Sequence, residues 1–202
     1  MTDQNQSLRD DIAFMRGLAE AGQDRPMAGG SILLACGVIF GGASLVVWWL
    51  SSRLGMDGAM YPLVWGAASA LYFAFLIPLL RSLPRTGNAK QIAAGMAWSG
   101  VGWSSFTIVV SLIVMSVRSG DWLFMWTLPS VFMCLYGAVW FLAAVQWRKG
   151  WLWATALGAF AAALVNAWFA SEGQLVWLLF GISLLLVMGL PGLHLMRQAR
   201  AA

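Results

Sequence analysis

Charge is scarce in this chain of 202 residues: Asp, Glu, Lys and Arg together make up 10% of it, and histidine occurs once. An ordinary soluble domain carries about 25% charged residues. Cysteine is almost as rare, with two residues, Cys36 and Cys134. With a single histidine, bis-histidine haem ligation within one chain is excluded. No Cys/His cluster has metal-ligand spacing. Carboxylate pairs, glycine-rich phosphate loops and nucleophile–base constellations are equally lacking. We therefore expect no catalytic, cofactor-binding or metal-binding residues and no enzymatic activity. The first thirty residues include acids and have no continuous apolar core, which argues against a secretory signal peptide.

What the chain has in abundance is apolar length. It is 60% hydrophobic, and every charged residue falls outside six stretches: 31–50, 61–80, 92–117, 122–145, 151–170 and 175–196. At 1.5 Å per residue each is long enough to cross a hydrocarbon core of roughly 30 Å. The expected fold class is all-α: a polytopic membrane protein of six transmembrane helices arranged as three hairpins, preceded by a short amphipathic cytoplasmic helix. The expected organisation is a cytoplasmic segment 1–26, a membrane domain 27–197 and a short tail 198–202. The connections between spans are too short to hold an aqueous active site.

The cations set the orientation. Arg9, Arg16 and Arg25 precede span one; Arg81, Arg85 and Lys90 separate spans two and three; Arg148 and Lys149 separate four and five; Arg197 and Arg200 follow six. Only Arg53 and Arg118 lie on the other side. Positive residues accumulate on the cytoplasmic face, so both termini are expected there, in a bacterial inner membrane. The net charge of +4 is then a property of the inner loops, and direct nucleic-acid contact is not expected.

The tryptophans agree in part. Trp48, Trp49, Trp65, Trp122, Trp126, Trp168 and Trp177 fall near the outer span ends, and Trp147, Trp151 and Trp153 near the inner ones. Indole rings favour the headgroup level. Trp98, Trp103 and Trp140 lie deeper, where they pack a core or line a ligand cavity.

Residues 7–21 read as an amphipathic helix. Leu8, Ile12, Met15 and Ala19 recur at helical spacing, Ser7-x-x-Asp10 has the form of a capping box, and Gly22 is a natural stop. Its polar face mixes acids with bases, unlike the Lys/Arg-rich face of an interfacial helix. That leaves either bilayer attachment or a protein contact, with Ile12, Met15, Arg16, Arg81, Arg85 and Lys90 as cytoplasmic contact candidates.

Small residues repeat within the spans. Span one has Gly37-x-x-x-Gly41 and Ser44; span two has Gly66, Ala70 and Ala74; span five has Ala154, Gly158, Ala162, Asn166 and Ala170. In span three, Ala93, Ala97, Gly100, Ser104, Thr107 and Ser111 alternate at four- and three-residue intervals. Such seams let helix backbones approach where lipid gives no hydrophobic drive for association. Gly37, Gly41, Gly100, Ser104, Thr107, Ser111, Gly158 and Asn166 are accordingly the helix-packing or path-lining candidates. Pro78 and Pro191, inside spans two and six, each free a backbone carbonyl and kink the helix.

The segment Leu8-Arg9-Asp10-Asp11-Ile12-Ala13-Phe14-Met15-Arg16-Gly17-Leu18-Ala19-Glu20, followed by Gly29-Gly30, resembles small uncharacterised six-span inner-membrane proteins of alphaproteobacteria. The resemblance rests on this segment and the span layout, and it transfers no site residues. It implies a regulatory or envelope-stress setting, beside small winged-helix regulators. Two functions are in view: a non-enzymatic protein that associates with a cytoplasmic partner or with its own copies, and a small-solute or lipid transporter or channel with a Ser/Thr-lined path along span three.

Overall fold

The computed structural model describes residues 29–55, 58, 60–82 and 89–201. Six helices in it are long and apolar enough to cross a membrane: α1 (Gly30–Leu54), α2 (Met60–Ser82), α3 (Ala89–Ser119), α4 (Leu128–Trp147), α5 (Gly150–Trp168) and α6 (Leu175–Ala201). A 3-10 turn, Leu123–Thr127, leads into α4. Among the described residues there is no strand. This is a multi-pass, all-helical membrane protein. The expected amphipathic helix lies outside the described residues.

The tightest pairings are α4 with α5 and α1 with α6, followed by α1 with α2 and α3 with α4. Helix α6 also touches α4 and α5. The chain's first and last spans therefore sit side by side at the centre, with α2 on one flank and the α3–α4–α5 group on the other. Burial follows this order. About half of the apolar window is buried in α4 (50%) and α6 (56%), and 44% in α1, against 6% in α2 and 11% in α3.

Glycine makes the α1–α6 contact possible. A Cβ on Gly37 would collide with the backbone nitrogen of Gly189, and one on Gly30 would lie 2.9 Å from the Gly192 carbonyl oxygen. From the other side, a Cβ on Gly181 would lie 3.0 Å from the Gly41 carbonyl oxygen. Any larger residue would push the two backbones apart. Ser44 joins the seam: its hydroxyl donates to the Trp177 carbonyl at 2.7 Å.

Within α6, Leu185–Gly189 forms a π turn, two residues before the buried Pro191. Proline has no N–H to offer Val187 and its ring crowds that carbonyl, so the hydrogen-bond ladder loosens just upstream. In the α4–α5 pair, Gly137 lies beneath the Phe160 ring, where an added Cβ would sit 2.8 Å from the ring carbons. Helix α4 ends at Arg148, in the left-handed conformation (φ 52°), with its N–H donating to the Ala144 carbonyl.

Gly37→Ala should cost about 2 kcal/mol or more, because overpacking costs roughly 1–3 kcal/mol and backbone cannot move aside here. Gly158→Ala, at a position with open space around it, should instead be neutral or gain up to about 1 kcal/mol from helix propensity. Thermal unfolding in micelles, followed by helical circular dichroism, separates the two outcomes.

Candidate functional site

The interior is filled by aromatic rings running from one end of the bundle to the other. Near the Arg53/Arg118 end, Trp177 of α6 meets Trp65 at 5.5 Å, Trp126 at 5.7 Å and Tyr61 at 6.1 Å. The Tyr61 hydroxyl shares a 3.0 Å hydrogen bond with Ser51. The column continues through Phe180, which stands 6.4 Å from Trp65 and 6.2 Å from Phe132. Phe132 leads to Tyr136 (6.3 Å), and Tyr136 to Trp98 of α3 (6.3 Å). Trp98 meets Trp140 edge-on at 5.4 Å, Trp140 meets Trp151 at 6.1 Å, and Trp151 meets His194 at 4.9 Å. Phe40 of α1 joins from the side, 5.2 Å from Tyr72. All six spans contribute a ring.

Several polar atoms in this column are buried without a hydrogen-bond partner among the described residues. The Cys36 and Tyr136 side chains are both buried in the core. The indole N–H groups of Trp98, Trp140, Trp151 and Trp177 have no hydrogen-bond acceptor among the described residues. His194 is exposed at the column's end, its Nε2 2.9 Å from Gln198 Nε2.

The positions singled out from sequence divide sharply. Gly37 and Gly41 are buried in the α1–α6 seam. Asn166 is fully buried; its Nδ2 donates to the Ala162 carbonyl (2.8 Å) and to the Ser183 hydroxyl (3.3 Å), while Oδ1 has no partner among the described residues. Its neighbour is thus Ser183 of α6, not the hydroxyls of span three. Gly158 is exposed. Helix α5 buries Leu152, Ala156, Ala159, Ala163 and Asn166, so the packing stripe is turned away from the Ala154/Gly158 ridge toward α4. In α3, Ala93 and Ala97 are half-buried, whereas Gly100, Ser104, Thr107 and Ser111 all face outward. Among the described residues this half of the seam neither packs nor lines a passage. Gly66, Ala70 and Ala74 of α2 are exposed as well.

Two tryptophan expectations change. Trp103, expected in a core or cavity, is 73% exposed, and Trp177, expected in the headgroup belt, is 6% exposed. Arg81 is exposed at the end of α2 and Lys90 half-buried at the start of α3. Ile12, Met15, Arg16 and Arg85 lie outside the described residues. Sequence reasoning passed over Tyr61, Tyr72 and Tyr136. The signal was their rarity: the chain has three tyrosines, and a phenol within a span needs a partner.

The described residues contain no group of three or more His, Cys, Asp or Glu side chains placed to hold a metal. Comparison with protein-family models, curated proteins and solved structures finds no match.

Trp140→Ala, which empties a fully buried position in the column, should destabilise by about 3–5 kcal/mol. Trp103→Ala should leave stability within about 0.5 kcal/mol of the parent. Equal losses in a denaturant titration would contradict the placement of the two rings.

Proposed function

We propose that this protein is a non-enzymatic inner-membrane component that works by association, with its own copies or with a membrane-embedded or cytoplasmic partner. One observation carries the reading: the small-residue, hydroxyl-bearing half of the α3 seam faces away from its own bundle. Gly100, Ser104, Thr107 and Ser111 form a face suited to close helix approach and interhelical hydrogen bonds, and no helix among the described residues covers them. Helix α2, almost as bare, offers a second unfilled flank.

The interior supports association rather than conduction. A passage through one chain would have to displace the aromatic column, whose rings touch continuously from Tyr61 to His194. A Ser/Thr-lined path along α3 would require several copies arranged around it.

The finer architecture belongs to the same reading. In this reading both termini are cytoplasmic, the six spans are arranged as three hairpins, and residues 7–21 are an amphipathic cytoplasmic helix. That helix and the basic inner loops, with Arg16, Arg81, Arg85 and Lys90, give a cytoplasmic partner its contact.

Gly100→Leu combined with Ser104→Leu should abolish association, read as a drop in native mass or in energy transfer between labelled copies in vesicles. Because both positions are exposed, the monomer's thermal stability should stay within about 0.5 kcal/mol. Unchanged mass with both leucines in place would refute α3 as the contact. Removing residues 1–22 tests the cytoplasmic contact separately: loss of a co-purifying soluble partner is expected.

A further inference from the structure

A second outward surface lies on a different face, between α1 and α6. There a groove of about 250 Å³ is lined by Leu34 and Val38 of α1 and by Leu186, Gly189, Leu190 and Leu193 of α6. It has an entirely apolar lining, so it offers nothing to water or to a polar solute. The groove exists because of the glycine and the π turn. A Cβ built on Gly189 would meet only Leu185 Cδ2, at 3.9 Å, so the missing side chain leaves open space on this side. On the other side the same backbone presses against Gly37.

The α6 stripe does not stop at the groove. Leu186, Leu190 and Leu193 are followed at helical spacing by Arg197 and Arg200, which places both guanidinium groups on the continuation of the same face. Both are exposed, and neither makes an ion pair among the described residues. From Leu186 to Arg197 the rise is roughly 16 Å, about half of a hydrocarbon core of roughly 30 Å. The apolar groove ends at Leu193, roughly one helical turn before the first of two cations, an arrangement that suits part of an acyl chain below an anionic head.

We propose that this groove is a binding site for an anionic phospholipid, with an acyl chain lying along Leu34, Val38, Leu186 and Leu190 and the phosphate headgroup held by Arg197 and Arg200. A second copy of the chain fits the surface less well. Copies share one orientation in the membrane, so docking groove to groove would bring four arginines together at one end. This site is independent of the α3 face, and its test leaves the association reading untouched.

The test is native mass spectrometry of the full chain in detergent, titrated with phosphatidylglycerol or with phosphatidylcholine of the same acyl composition. Each interfacial cation favours an anionic head by about fivefold, so the parent should prefer phosphatidylglycerol by about 25-fold. Arg197→Gln with Arg200→Gln should erase that preference while phosphatidylcholine binding stays the same. Gly189→Leu should fill the groove and weaken both lipids at least about tenfold. Leu186→Trp, at an exposed position on the groove wall, should do the same should the glycine variant fail to fold. Equal binding of the two lipids by the parent overturns the proposal, as does undiminished phosphatidylglycerol binding in the groove-filling variants. A dimer that Leu186→Trp dissociates would overturn it too, by assigning the groove to a second copy.

Discussion

The backbone-to-backbone approach of α1 and α6 is the constraint from which the rest of the bundle follows. In a bilayer a leucine gains nothing by leaving lipid for a protein core, so helices are held by close packing and by hydrogen bonds. Gly30, Gly37 and Gly41 against Gly192, Gly189 and Gly181 supply the first, and Ser44 with the Trp177 carbonyl supplies the second. Joining the first span to the last makes the arrangement central and fixes what can surround it. Helix α2 leans on α1 through the Tyr61–Ser51 hydrogen bond and through Trp65 and Tyr72 against Phe40, and α4 and α5 lean on α6 through Phe132 and Asn166.

Hydroxyls inside the spans illustrate how lipid acts as a solvent. Ser183 donates to the Leu179 carbonyl and Thr155 to the Trp151 carbonyl, each one turn back along its own helix. Ser130 reaches across to the Ala163 carbonyl. These groups are satisfied locally and remain compatible with a dry interior. Gly100, Ser104, Thr107 and Ser111 of α3 differ in kind, since their small volume and the three hydroxyls are presented to whatever lies beside the chain.

The existence and extent of the six spans were legible because charge exclusion is an absolute signal in lipid. Gly37 and Gly41 were legible too, since a glycine pair four apart in an apolar helix has few other uses. The facing of the remaining seams was not. Hydropathy separates water from apolar surroundings, but here both the core and the lipid are apolar, so Trp103 and Trp140 carry the same label with opposite surroundings. For the same reason the α5 ridge read through Gly158 lies beside the stripe that packs: Ala156, Ala159 and Ala163 are as small as Ala154 and Gly158, and composition cannot rank them. Trp177 misled because its sequence position near a span end suits a headgroup ring, while its neighbours Trp65 and Trp126 turn it inward.

The π turn in α6 also settles a question of rotational phase. At about 100° per residue, Gly181 and Gly189 would point roughly 80° apart on an unbroken α-helix. One extra residue absorbed in the turn makes the eight-residue interval rotate like seven, which brings the two glycines to within roughly 20° of each other. Helix α6 can thus show glycine to α1 at two levels despite a spacing that does not match the helical repeat. A shorter sequence lacking one residue between Gly181 and Gly189 would reach the same alignment with an ordinary helix. The bulge can therefore be read as an accommodated insertion, one that kept the glycine seam in register and left the groove beside it.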